Sequence, residues 1–368
     1  MTKDYALSTR DKGLSTKDYA LSTTIRPYTP SDQTTWDEFV LNHPEGTFFH
    51  LIGWKNVIEK TFGHKSYYLL AQNGSEIVGI LPLFSVKSFL FGKSLTSIAF
   101  GTYGGVLAKN KDEEVAQSLL KEAIKITQKE NLDYLELRNL FRREPNWPIK
   151  DLYYTFRREI FPNLEDNLKA IPRKSRRMVR VGRDKYKLKS EIGRENLLNE
   201  FYEIYAHSVH NLGSPVYPKA LFKNFLQEFK NNCKILLVRN PEGKAIAGVM
   251  SFFYKDEVLP YYGGSLPEGK KMAANDFMYW ELMKYGCENG YRIFDFGRSK
   301  KGTGSFDFKR HWGFEPKPLY YQYYLHRIKE IPNISPINPK YQKRIEMWKK
   351  LPFPLTKILG PIIVKYIP

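Results

Sequence analysis

The segment "ILLVRNPEGKAIAGVMSFFYKDEVLPYYGG", Ile235 to Gly264, sets two apolar runs around Asn240-Pro241-Glu242-Gly243 and closes a third run with Tyr262-Gly263-Gly264. A turn cluster between β-branched and aromatic stretches predicts a hairpin followed by a further strand. The same plan stands earlier in the chain. "YYLLAQNGSEIVGILPLFSVKSFLFGKSLTSIAFGTYGG", Tyr67 to Gly105, has Asn73-Gly74 as its turn and Tyr103-Gly104-Gly105 as its end. Helix-spaced apolar residues follow both, Val115, Leu119, Leu120 and Ala123 within 113–131, and Phe277, Trp280, Leu282 and Met283 within 274–289. Each helix then runs into an apolar strand, "LDYLELRN" (Leu132 to Asn139) and "YRIFDFGR" (Tyr291 to Arg298). Tyr103 to Tyr262 and Glu136 to Asp295 share an offset of 159 residues. The ordered set reads as one duplicated unit of hairpin, strand, helix and strand.

Composition bounds the rest. A chain of 368 residues with 42% hydrophobic content can bury the cores of two ordinary domains. Its net charge of +19 is suited to phosphates, nucleic acid or an anionic membrane surface. Two cysteines, Cys233 and Cys287, fit a reducing compartment, and no ligand cluster for a metal is present. No apolar run is long enough to span a bilayer, and the polar beginning lacks a signal-peptide core, so a cytoplasmic location is expected. Residues 2–22 repeat a seven-residue unit three times, "TKDYALS TRDKGLS TKDYALS", with too few apolar positions for a coiled coil. A disordered tail over 1–24 is expected.

A meander of antiparallel strands followed by a helix and a parallel strand is the core of the GNAT N-acyltransferase fold. The expected fold class is therefore α/β (α+β), with two tandem GNAT-like domains of mixed, mostly antiparallel sheets flanked by helices. The limits are 25–160 for the first domain, 161–328 for the second with a basic opening helix, and 329–368 for a basic, apolar tail. The pairing resembles the FemAB family of aminoacyl and acyl transferases. Through "ILPLFSVKSFLFGKSLTSIAFGTYGG", "FDFGRSKKGTGSFDFKRHWGFEP" and "WKKLPFPLTKILGPIIVKYIP", it is most similar to the FemAB-related branch associated with exosortase and PEP-CTERM exopolysaccharide systems. That resemblance covers 25–368.

Gly302-Thr303-Gly304 is neither a Walker loop nor a dinucleotide fingerprint. Gly302 and Gly304 either supply turn geometry or offer backbone N–H groups to an anion, and Arg298, Lys300, Lys301, Lys309 and Arg310 around them suit the second reading. The resemblance places the lysine of the Phe308-Lys309 pair in the transferase site, although Trp312-Gly313-Phe314 follows at a longer spacing than in the cross-bridge enzymes. Attack of an amine on an ester or thioester builds an oxyanion, which a fixed ammonium stabilises. Asp295, between Phe294 and Phe296, is a candidate to accept the amine proton or to orient Arg298. Lys309, Asp295 and Arg298 are thus the catalytic candidates. His50, His207 and His210 have no spacing that specifies a metal or a triad.

Neither "SLPEGKKMAANDF" (Ser265 to Phe277) nor "VLAKNKDEE" (Val106 to Glu114) carries the Q/R-x-x-G-x-G/A pattern of acetyl-CoA enzymes. This moves the expected donor toward aminoacyl-tRNA, with acyl-CoA retained and no tightly bound cofactor or metal expected. "LKAIPRKSRRMVRVGRDKYKLK", Leu168 to Lys189, holds ten Lys or Arg and one Asp. Arg173, Lys174, Arg176 and Arg177 are its candidates for binding phosphate on a tRNA or a nucleotide-linked sugar, the alternative being a solvated basic helix. Tyr262 and Phe308 complete the substrate-binding candidates. Residues 340–368 mix lysines with Trp348, Phe353, Ile358 and Ile362, and fit the inner membrane surface or a groove of the body.

The expectation is a transferase that moves an acyl or aminoacyl group onto an amine of a cell-envelope precursor: peptidoglycan, exopolysaccharide or a lipid-linked glycan. Two rivals stand beside it, an acetyl-CoA-dependent N-acetyltransferase and a non-catalytic RNA- or membrane-binding protein on the same scaffold.

Overall fold

The computed structural model describes residues 23–88, 92–333 and 339–367. The seven-residue repeats lie outside the described residues. Both hairpins form where their turns predict them. Leu69–Asn73 pairs antiparallel with Glu76–Leu81, and Cys233–Arg239 pairs with Ala245–Tyr254, which pairs in turn with Glu257–Ser265. In the second turn the Gly243 amide closes onto the Asn240 carbonyl at 2.9 Å. The helices Glu113–Lys129 and Ala274–Glu288 follow.

Each unit then makes its parallel pair. Gly92–Thr96 runs beside Tyr134–Asn139, and Glu257–Ser265 begins beside Ile293–Lys300 at Glu257 and Val258 before the two separate. The two units are not identical. The expected strand through Tyr103 stops at Thr96, and 97–106 is a loop with left-handed backbone at Ile98 and Phe100, φ 58° and 62°. Its carbonyls find a donor off the ladder, because the buried Arg138 guanidinium reaches Gly101 O at 2.8 Å and Ile98 O at 3.2 Å.

The sheets trade strands across the expected limit between the domains. Tyr153–Glu159 pairs antiparallel with Ile293–Lys300 inside a seven-stranded sheet of the second unit. Tyr320–Leu325 returns to pair with Tyr134–Asn139 in a five-stranded sheet of the first. Hydrogen bonding therefore ties the units together in both directions. Apolar packing does the same: Phe48 lies 4.4 Å from Phe252 and 4.3 Å from Phe229, ring centre to ring centre, in a core to which both units contribute. Two outer cores lie on the remote sheet faces, under the helices Glu113–Lys129 and Ala274–Glu288.

The helices Pro339–Lys350 and Phe353–Val364 end the described chain. Thr356, Gly360 and Val364 are buried against the body. The fit at Gly360 is close, since an added Cβ would stand 2.8 Å from Val216.

Candidate active site

The strand Ile293–Lys300 carries the centre of the site because its alternation is interrupted. Asp295 faces Arg157 across the ladder and Arg298 faces Thr155, so two residues, Phe296 and Gly297, stand opposite one. Residues three apart on a regular strand point to opposite faces. The bulge brings Asp295, Arg298 and Lys300 to one face, with Tyr153, Thr155 and Arg157 opposite them. Phe294 and Phe296 take the other face and pack on Phe314 and Trp312. Gly297 has φ +65°, a conformation costly for a residue with a Cβ.

Lys309 holds this bulge. Its Nζ donates to the carbonyls of Phe296, Gly297 and Arg298 at 2.6, 3.0 and 3.1 Å, and the residue is 9% exposed. The helix Gly304–His311 delivers it, with Thr303 as the N-cap and the Gly302 backbone at φ +79° in the preceding turn. Burial pulls the ammonium down to about 7, the Asp295 charge works against that, and the Arg298 guanidinium adds to it.

Asp295 is 1% exposed. Its Oδ1 accepts the Gly297 amide at 2.7 Å, and both carboxylate oxygens accept the Tyr103 hydroxyl at 2.9 and 2.8 Å. Burial raises its proton affinity, while the Gly297 amide, Tyr103, Arg157 and Lys309 oppose the rise. Tyr103 also contacts Thr155 and arrives from the irregular loop of the first unit, where Thr102 Oγ1 meets the Tyr261 hydroxyl at 3.2 Å. This loop therefore sits where the second unit's parallel strands separate.

Arg298 lies between two aromatic rings, 4.6 Å from the Tyr153 centre and 5.5 Å from that of Tyr321, whose hydroxyl accepts its Nη1 at 3.1 Å. Tyr321 passes the chain on to Thr102 O at 2.7 Å. In the first unit Arg138 pairs with Glu136 at 3.0 Å, both buried.

The structure thus gathers Lys309, Asp295 and Arg298 on one bulge and sets the other sequence candidates around them at differing remove. Phe308 is half-buried against Tyr279, Phe296 and Trp312. Arg173, Lys174 and Arg177 are exposed and Arg176 half-exposed on the helix Arg173–Arg180, which is fastened to the end of the Lys309 helix by Ser175 Oγ donating to His311 O at 2.9 Å. Gly302 and Gly304 border open space. Tyr262 stands apart. It is 6% exposed among Tyr205, Phe222, Phe225 and Tyr261, because its position on a central strand turns it into the shared core. Sequence reasoning noted Tyr103 only as a marker of the repeat, and gave no sign of Thr155, Tyr153 or Tyr321. Among the described residues no cluster of His, Cys, Asp and Glu could hold a metal, and no helix is long and apolar enough to cross a membrane.

One comparison with known proteins spans this bulge. Residues 167–310 match the acetyltransferase (GNAT) domain family. The lipid II:glycine glycyltransferase of Staphylococcus aureus is 26% identical over 143 residues, 37% of this chain and 33% of that protein. The enzyme of the same name from Staphylococcus haemolyticus is 29% identical over 93 residues, 23% of this chain and 22% of its own. The chain thus matches about a fifth to a third of the length of these curated relatives. The crystal structure of FemX superposes with a TM-score of 0.64 at 16% identity, covering 87% of this chain and 99% of that one. Two tandem GNAT domains of mixed sheet flanked by helices are therefore the fold.

Proposed function

We propose that this chain, a FemAB-like tandem GNAT-fold protein, is a transferase that moves an acyl or aminoacyl group onto an amine of a cell-envelope precursor. The observation that carries the reading is the buried carboxylate of Asp295, raised in proton affinity and aimed by Tyr103 at the point where the second unit's parallel strands part. The neutral amine attacks the donor's carbonyl carbon and a C–N bond forms, Asp295 takes the amine proton, and the bond to the donor oxygen or sulfur breaks as that proton passes from Asp295 to the leaving group, which departs as an alcohol or thiol and restores the carboxylate. Arg298 supplies positive charge beside the developing oxyanion. Lys309 fixes the bulge that aims both groups, and its contact with an oxyanion requires one of its three carbonyls to be released. The donor is an aminoacyl-tRNA, with acyl-CoA as the alternative. Supporting this, amides of Ser265–Phe277 are spent on their own carbonyls: Lys270, Met272, Ala273 and Phe277 donate within the segment.

The exposed cations Arg173, Lys174 and Arg177, with Arg176 beside them, bind phosphate of the donor or of a nucleotide- or lipid-linked acceptor. The staphylococcal relatives are named for lipid II, and an acceptor of that class suits this chain. Peripheral contact with the inner face of the cell membrane, made through the tail, is part of this reading. Leu355, Ile358, Leu359 and Ile362 form an exposed ridge at i, i+3, i+4 and i+7, opposite the buried Thr356, Gly360 and Val364. No carboxylate occurs after Glu346, while Lys349, Lys350, Lys357 and Lys365 surround the ridge.

The test is a transfer assay on the full chain with glycyl-tRNA or acetyl-CoA as donor and lipid II or its nucleotide-linked precursor as acceptor, read by product mass. A glycyl adduct on the acceptor amine is expected. An acetyl adduct alone assigns acyl-CoA as the donor, and no adduct from either donor overturns the reading.

A further inference from the structure

Three of the cations on the site face have no acidic partner among the described residues. Arg298 and Lys300 project from the same side of one strand, and Lys150 comes from the turn that precedes the exchanged strand Tyr153–Glu159. The Arg298 guanidinium is held by the rings of Tyr153 and Tyr321, and the Lys300 ammonium lies 5.8 Å from the centre of the same Tyr153 ring. Lys150 Nζ donates to Pro332 O at 2.8 Å. The nearby Glu136 is already engaged by Arg138 at 3.0 Å. All three cations are half-buried, so they keep access to solvent while losing much of its screening.

Partly buried like charges at close range are costly unless an anion joins them. The cost is visible at Lys300, whose ammonium falls to about 7 through burial first, then through Arg298 and Lys150. Tyr153 and Tyr321 present π faces and a hydroxyl to the guanidinium, which leaves its remaining N–H donors for a ligand. A planar fork beside two ammonium groups matches the oxygens of a phosphate, in a place where no side chain of the described protein supplies them.

We propose that Arg298, Lys300 and Lys150 form a subsite for a phosphate group of the substrate, at the seam of the two units and distinct from the exposed basic helix Arg173–Arg180. The naming of that anion as substrate phosphate rests on the transferase reading, whereas the binding itself does not. The subsite lies on the Asp295 face, so the phosphate it holds sets how far the reacting group stands from the carboxylate.

The experiment is calorimetric titration of the full chain with inorganic pyrophosphate and with uridine diphosphate at low salt. Lys300→Gln and Lys150→Gln are compared with wild type and with Lys121→Gln, an exposed residue of the helix Glu113–Lys129. Each of the first two is expected to weaken binding about ten-fold, the size of one charge-assisted hydrogen bond, with Lys121→Gln unchanged. Tighter binding of uridine diphosphate points to a nucleotide-linked source, and equal binding to a diphosphate read alone. Wild-type binding that Lys300→Gln and Lys150→Gln leave intact, or no binding of either anion at millimolar concentration, would overturn the subsite. Either failure leaves the transferase reading standing. Conversely, normal anion binding with no transfer to any acceptor would remove that reading and keep the subsite.

Discussion

Tyr103 of the first unit donates its hydroxyl to both carboxylate oxygens of Asp295 in the second, at 2.9 and 2.8 Å, with both residues almost wholly buried. The sole carboxylate on the bulge is thus oriented from the other half of the molecule. That makes the contact between the units part of the chemistry as well as of the fold.

Tyr103→Phe leaves Asp295 with the Gly297 amide as its remaining hydrogen-bond donor. A loss of about 1–3 kcal/mol in urea unfolding is expected, the cost of an unsatisfied buried group. Asp295→Asn combined with Tyr103→Phe is expected to show a coupling of at least about 0.5 kcal/mol in a double-mutant cycle. Strictly additive losses would mean that the contact carries no energy of its own.

Lys309→Met removes the one donor that three carbonyls share. It is expected to abolish transfer and to cost about 2–4 kcal/mol of stability, more than loss of a surface lysine, because the carbonyls of Phe296, Gly297 and Arg298 lose their partner. Denaturant midpoints and turnover, measured at a temperature where the variant stays folded, separate the two effects. Wild-type stability in Lys309→Met would show that the cage contributes nothing.

The same lysine fixes a pH dependence. Its folded value of about 7 lies below the unfolded 10.5, so between these limits the unfolded chain holds a proton that the folded chain lacks. Stability from this group therefore rises with pH across that window. Wild type is expected to gain on Lys309→Met as pH goes from 7 to 9, read from urea midpoints at each pH. A constant difference would mean that the ammonium titrates normally.

Arg173→Glu and Arg177→Glu change exposed side chains, so each should alter stability by no more than about 0.5 kcal/mol. Both should raise KM for a phosphate-bearing substrate and flatten its dependence on salt. Unchanged salt dependence would return the helix to the role of a solvated surface.

Ile358→Ser with Ile362→Ser should leave the melting temperature in place, since both residues are 60% exposed or more. Sedimentation with phosphatidylglycerol vesicles should fall sharply, and neutral vesicles should bind neither protein. Equal co-sedimentation of variant and wild type would show that the ridge does not meet lipid.

Some of this was written in the order of residues. The two turns, the two amphipathic helices and the offset between Glu136 and Asp295 are local signals, so the duplicated unit and its GNAT character were legible before any coordinates. The basic helix and the basic, apolar tail were legible for the same reason, being runs of adjacent residues. The Phe308-Lys309 pair could be placed by resemblance, but the three carbonyls around its ammonium could not be read from spacing.

What the chain order could not show is the geometry of the site. A period of two puts Asp295 and Arg298 on opposite faces, and only the bulge at Phe296-Gly297, held by Lys309, brings them together. Tyr103 reaches Asp295 across 192 residues, and Tyr321 reaches Thr102 across 219. Those meetings depend on strands exchanged between the two units, and such long-range pairing leaves no trace in local pattern. Sequence by itself determined the repeated elements, because propensity and periodicity act over a few residues. The tertiary structure alone decided which residues face one another at the seam, because a buried carboxylate and a buried ammonium must find their partners wherever the packed sheets provide them.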